Sequence, residues 1–214
     1  MLQVKSFVFG SFGTNTYLVS DEQGNTILID PACSGQYEQA MLYRYIQTEN
    51  LTVRAIVATH GHLDHLWGAP WACEQWHLPV LMHPADIPMA KGMQAQYELF
   101  GIRAVAQPFP IEPLHALSPS GEQEGSLLNF QIIHTPGHTQ GSVCLLFQPD
   151  ILISGDTLFR MGYGRTDLPG GDIHQLIDSL NRLFTLPPST LVYPGHGDKT
   201  SIGYELATNP YLDR

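Results

Sequence analysis

The chain has 214 residues, 43% of them hydrophobic and 14% charged, which suits a folded protein with a sizeable core and excludes a disordered one. Its formal net charge of −10 leaves no basic stripe to neutralise phosphates, so nucleic acid is not an expected partner. No apolar run reaches the length of a bilayer, no secretory pattern opens the chain, and Cys33, Cys73 and Cys144 form no CxxC pair, so a cytoplasmic protein with reduced thiols and no membrane partner is expected.

In chain order, Val4-Phe9, Tyr17-Ser20 and Thr26-Ile29 alternate in the manner of strands and are separated by glycine turns, which predicts an antiparallel meander. Tyr37-Asn50 carries apolar residues at helical spacing. Val53-Ala58 suits a buried strand, Trp67-Trp76 a second helix with Pro70 near its start, and Pro79-Met82 another strand. Pro84-Gly125 reads as helix followed by a long irregular connection. A second set of strands follows at Leu127-His134, Val143-Phe147 and Ile151-Ser154. His174-Leu186 then reads as a helix, Leu191-Tyr193 as a final strand, and the tail as one or two short helices. A two-sheet core with helices outside satisfies this order better than a doubly wound parallel sheet.

The chemistry concentrates in histidine, whose ten copies equal the lysines and arginines together. Directly after the strand Val53-Ala58 the chain reads Thr59-His60-Gly61-His62-Leu63-Asp64-His65. In an extended segment positions 60, 62 and 64 point to one side, and Gly61 permits a tight turn. His65 starts the next segment and can serve a different ion. Neutral imidazoles and carboxylates are the donor set of zinc and its neighbours. Three more strands end in polar, glycine-bearing turns, at Thr135-Pro136-Gly137-His138, Ser154-Gly155-Asp156-Thr157 and Pro194-Gly195-His196-Gly197. Singly, Asp156 also reads as a helix N-cap and His138 or His196 as turn residues. Together with the histidine block they predict a joint metal site. His77, His115 and His174 are expected at the surface or at helix ends, His134 within its strand, and His83 outside the ligand set.

THGHLDH, TPGHTQGS, SGDTLF and PGHG resemble the motifs of the metallo-β-lactamase-fold hydrolases, and most closely the compact bacterial glyoxalase II-like branch, a likeness that the GYGRTDLPGGD and SIGYE…NPYL segments strengthen. The resemblance covers nearly the whole chain. It implies a single α+β domain over residues 1–214, an αββα sandwich of two mixed sheets packed face to face with helices on both outer sides. It implies two divalent metal ions, zinc foremost, with iron or manganese as alternatives. His60, His62 and His138 match the first site, Asp64, His65 and His196 the second, and Asp156 the bridging carboxylate. Asp30 matches the place of a residue that supports a metal-binding histidine, and a turn-starting aspartate before Pro31 is its other reading. Arg165 matches a basic side chain that contacts the glutathione portion of the substrate, and an ordinary surface arginine is its other reading.

Two divalent ions offset by Asp64, Asp156 and one hydroxide leave a net positive centre that favours an anionic transition state. Metal-bound water with its pKa lowered to about 7 supplies hydroxide at neutral pH without a separate base. A thioester suits such a site, because a thiolate of parent pKa about 8.5 departs without a proton donor, whereas an expelled amine needs one. The expected reaction is hydrolysis of an anionic small-molecule acyl thioester such as S-lactoylglutathione. Full-length relatives in that branch carry a longer helical region after the last histidine, which bears on glutathione as the carrier.

The rival activity is a mononuclear iron persulfide dioxygenase of the same fold, binding iron through His60, His138 and Asp156. A lactonase or another ester hydrolase stays open. A β-lactamase is disfavoured, since no export pattern opens the chain and Asp156 stands where many such enzymes use cysteine. The net charge disfavours a nuclease. A non-catalytic metal-stabilised module would close its coordination, whereas seven ligands shared by two ions leave room for water.

Overall fold

The structure, a computed structural model, describes residues 2–114, 130–147 and 150–210. The chain divides into two compact units, Met1–Leu114 and His115–Arg214.

The first unit opens with three antiparallel strands, β1 (Gln3–Phe9), β2 (Thr14–Ser20) and β3 (Asn25–Ile29), which is the expected meander. Three parallel strands extend the sheet: β4 (Thr52–Val57), β5 (Val80–Met82) and β6 (Ile111–Pro113), in the order β1-β2-β3-β4-β5-β6. Parallel neighbours require crossovers, and helices supply them. Helix α1 (Gln36–Thr48) joins β3 to β4 and buries Leu42 and Ile46. Helix α2 (Ala69–Trp76) joins β4 to β5, and α3 (Ile87–Lys91) with α4 (Met93–Leu99) fills the passage to β6. Helix α2 starts two residues later than expected, because Gly68 first donates its N–H to the Pro31 carbonyl at 2.7 Å. A Cβ at Gly68 would lie 2.4 Å from the Cys33 sulfur, so no other residue fits that close approach.

In the second unit β7 (Phe130–His134), β8 (Val143–Phe147) and β9 (Ile151–Gly155) form an antiparallel run. A small hairpin follows, β10 (Leu158–Phe159) with β11 (Gly162–Tyr163), then α5 (Ile173–Leu183), β12 (Leu191–Pro194), β13 (Thr200–Ser201) and α6 (Ile202–Thr208). The sheet order is β13-β12-β9-β8-β7, with β12 parallel to β9. Each unit has its own apolar core, one around Leu18, Leu28, Leu42 and Ile56, the other around Leu146, Leu152, Leu176 and Val192.

Both sheets are mixed and carry helices, so the α+β class holds. Residues 127–129 of the expected strand Leu127-His134 lie outside the described residues, as does His115. The irregular connection expected after Pro84 also contains a strand, β6, and the small strands β10, β11 and β13 were not expected. No helix among the described residues is long and apolar enough to cross a membrane.

Candidate functional site

Within each unit, taken by itself, ligand-type side chains follow the carboxyl ends of strands that run parallel to one another. In the first unit, Asp30 follows β3, the 59–65 turn follows β4, and His83 and Asp86 follow β5. In an open parallel sheet that edge is where ligands bind, because the strand ends splay there. In the second unit β7, β9 and β12 point the same way, since β8 is antiparallel to its two neighbours and β12 is parallel to β9. Their ends carry His138, Asp156 and His196.

The 59–65 turn is held from several sides. Asp30 has a left-handed φ of 51°, which aspartate tolerates better than most residues. Its N–H bonds the Val57 carbonyl at 2.9 Å and its carbonyl accepts the Thr16 hydroxyl at 2.6 Å, so the conformation is fixed on both sides. The buried carboxylate thereby turns inward and accepts three bonds: Thr59 N–H at 2.7 Å, the Thr59 hydroxyl at 2.7 Å and Nδ1 of His65 at 2.9 Å. An ionised carboxylate only accepts, so Nδ1 of His65 carries a proton, and in the neutral ring the lone pair sits at Nε2. That Nε2 lies 3.5 Å from Oδ2 of Asp64, which also takes the Thr14 hydroxyl at 2.7 Å. The His60 ring lies 4.8 Å from His62 and 4.1 Å from His65, centroid to centroid.

Two residues that sequence reasoning missed complete the grip. Asp86, buried after β5, accepts the Gly61 N–H at 2.8 Å. Gln96 on α4 donates to the Gly61 carbonyl and accepts the Leu63 N–H, both at 2.9 Å. A carboxylate one strand over, at a shared sheet edge, was a usable signal for Asp86; Gln96 had none.

In the second unit Oδ2 of Asp156 lies 3.5 Å from Nε2 of both His138 and His196. Nδ1 of His138 bonds the Arg165 carbonyl at 2.7 Å. A carbonyl only accepts, so Nδ1 of this ring donates, and in the neutral ring the lone pair sits at Nε2, aimed at a carboxylate. A lone pair and an anion at that separation need positive charge between them, from a proton or a metal ion. Oriented Nε2 donors with interleaved carboxylates, each ring anchored through its other nitrogen, are what zinc-type sites use. The residues present fit divalent transition metals.

Gly164 makes the approach possible. A Cβ there would lie 1.8 Å from the Asp156 carbonyl oxygen and 3.1 Å from Nδ1 of His138. The Arg165 side chain is directed elsewhere: its Nε and Nη2 make a bidentate pair with Asp167 at 2.6 and 2.7 Å, on the exposed surface. That pair holds the Asp167 carboxyl down at about 2. Of the remaining histidines, His77 ends α2 in a left-handed conformation and His174 lies in the first turn of α5. His83 accepts the Ala85 N–H. His134 is the last residue of β7, as expected within its strand, but it is exposed, and its Nε2 meets the Gln140 carbonyl at 2.9 Å.

Comparison with known proteins agrees across both units. The sequence model of the metallo-beta-lactamase superfamily matches residues 10–196. The hydroxyacylglutathione hydrolase GloC of Haemophilus influenzae is 33% identical, over 95% of this chain and 94% of its own. A solved structure of TTHA1623 in a di-iron-bound form is similar, with a TM-score of 0.84 and 38% identity, covering 97% of this chain and all (100%) of that one. So is BLEG-1, described as a B3 metallo-beta-lactamase, with a TM-score of 0.86 and 30% identity over 99% of this chain and 100% of that one.

Proposed function

The chain belongs to the metallo-β-lactamase superfamily, and from that membership we propose that it is a metal-dependent hydrolase of anionic acyl thioesters, S-lactoylglutathione being the type substrate. His60, His62 and His138 would hold one ion, Asp64, His65 and His196 a second, and Asp156 would serve both. The observation that carries this reading is the Asp156 carboxylate, equidistant at 3.5 Å from two imidazole Nε2 atoms. The di-iron form of TTHA1623 supports two ions and places iron beside zinc as a candidate.

When bound, such ions lower the pKa of water to about 7 and polarise a carbonyl oxygen. The chain's residues orient that chemistry. Asp30 and the Arg165 carbonyl fix the tautomers of His65 and His138, and the Thr14 hydroxyl fixes Asp64. The departing thiolate needs no proton, so a site without a spare general acid suffices. Arg165 receives the substrate carboxylate by exchange for Asp167; an exposed pair opens at little cost. GloC, a hydroxyacylglutathione hydrolase, is the relative whose activity agrees with this.

Metal analysis of purified protein beside a panel of thioester, lactone, β-lactam and persulfide substrates tests the proposal. The expected result is two ions per chain and chelator-sensitive turnover of S-lactoylglutathione. One iron per chain with oxygen consumption on glutathione persulfide would replace it with the dioxygenase. Turnover of a β-lactam alone would align the chain with BLEG-1.

A further inference from the structure

Glu205 on α6 is completely buried, yet no group of the ligand clusters touches it. One of its oxygens, Oε2, accepts the Met161 N–H and Nδ2 of Asn209, each at 2.9 Å; the other, Oε1, accepts the Thr200 hydroxyl at 2.5 Å. Burying a carboxylate is expensive unless donors surround it. Here three donors converge: Thr200 and Asn209 flank α6, and Met161 reaches it from 44 residues away.

We infer that Glu205 is a positioning residue that ties the segments bearing His138, Asp156 and His196 to the C-terminal helix. The inference rests on the reading of those three as metal ligands. The first tie is at the tip of the β10–β11 hairpin, where Met161 has a left-handed φ of 61°. An ordinary residue stays in that conformation only when its surroundings hold it. Glu205 takes the N–H of Met161, and Asn209 at the C-cap of α6 donates to the Gly162 carbonyl at 3.2 Å, so two successive residues of the turn are held.

One arm of that hairpin runs back through Thr157 to Asp156. The other runs forward to Gly164, packed against the Asp156 backbone, and to Arg165, whose carbonyl orients His138. The second tie is Thr200 in β13, which pairs with β12, the strand that leads to His196. A displacement at Glu205 thus reaches all three ligand segments, while an apolar residue in its place would strand the buried Thr200 hydroxyl and take away the acceptor of the Met161 N–H.

Cobalt(II) as the probe metal tests this, because its visible bands report ligand geometry. Three variants are compared with wild type: Glu205→Ala, Glu205→Gln, and Leu183→Ala as a core deletion in the same unit. Cobalt affinity is measured by chelator competition below every melting transition. Glu205→Ala should lose about tenfold or more in affinity and shift the visible bands, as loss of a ligand-supporting partner does. Glu205→Gln should stay within about threefold of wild type, since its amide oxygen accepts both N–H groups and its NH₂ faces Thr200. Leu183→Ala should lose thermal stability but keep wild-type bands and affinity. Equal losses in Glu205→Ala and Leu183→Ala, or a wild-type spectrum in Glu205→Ala, would overturn the inference. If Glu205→Ala does not fold, Thr200→Val and Asn209→Ala are read the same way, and wild-type bands in both would overturn it. A wild-type protein that takes up no cobalt overturns the metal reading itself, and this inference with it.

Discussion

Asp30 decides which nitrogen of His65 carries the proton, and that makes it more than a turn residue. In Asp30→Asn, keeping the Thr59 N–H bond at Oδ1 places the amide NH₂ against Nδ1 of His65. The ring must then accept there and carry its proton on Nε2, where a ligand needs a lone pair. We expect metal affinity to fall by about 10–100-fold, read by chelator competition, with a lower melting temperature. Asp156→Ala removes the carboxylate beside two Nε2 atoms; metal content by elemental analysis should drop, and kcat should nearly vanish. Arg165→Ala is the contrasting case. The guanidinium depresses the Asp167 carboxyl, so the pair is intact above the usual carboxylate range and is lost only as pH falls through about 2. In the variant an NMR titration should find Asp167 moved up toward an ordinary carboxylate. KM for the glutathione thioester should rise while metal content and kcat stay unchanged; an unchanged KM would leave Arg165 a surface residue. The histidine block was legible in the sequence because its four donors are local. Gln96 was not, since it reaches Gly61 from a helix 35 residues away, and Asp86, 25 residues away, offered only its place after a neighbouring strand.

At the scale of elements, the architecture of the site is a matter of strand direction. The antiparallel meander, β4 and the run from β8 to β9 were legible because alternation and short apolar runs mark them plainly. The strands β10, β11 and β13 have two residues each, too few to show any period, and their place comes from Glu205 and its donors rather than from propensity. Gly164 shows how close the tolerance is where such an element meets the ligands. In Gly164→Ala the new Cβ meets a backbone carbonyl, which no rotamer change can relieve. The loop must move away from Asp156 and take the Arg165 carbonyl with it. We expect lost metal and a lower melting temperature, whereas Gly35→Ala, where a Cβ meets nothing within 4 Å, should be silent in both measurements.

At the scale of the molecule, each unit has its own sheet and apolar core, and each has one thiol at 0% exposure near its ligand segments, Cys33 and Cys144; the third, Cys73, is at 5% in the first unit. Cys33 lies against Gly68, just past the 59–65 turn. Cys144 contacts the Thr135 hydroxyl at 3.5 Å and donates to the Ser154 carbonyl at 3.4 Å, between the strands that lead to His138 and Asp156. Burial pushes Cys33 up to about 12 and Cys144 up to about 11, so neither is a reactive thiolate at neutral pH. Both should resist a thiol reagent in the native protein. The two sulfurs are thus built-in clocks for local opening. Residue-resolved labelling rates, followed by mass spectrometry, time how often each half exposes its interior. One shared rate would mean that the halves open as a single cooperative body. Two rates would mean that one half breathes while the other keeps its ligands in place, and the faster clock would name the half whose ligands let go first.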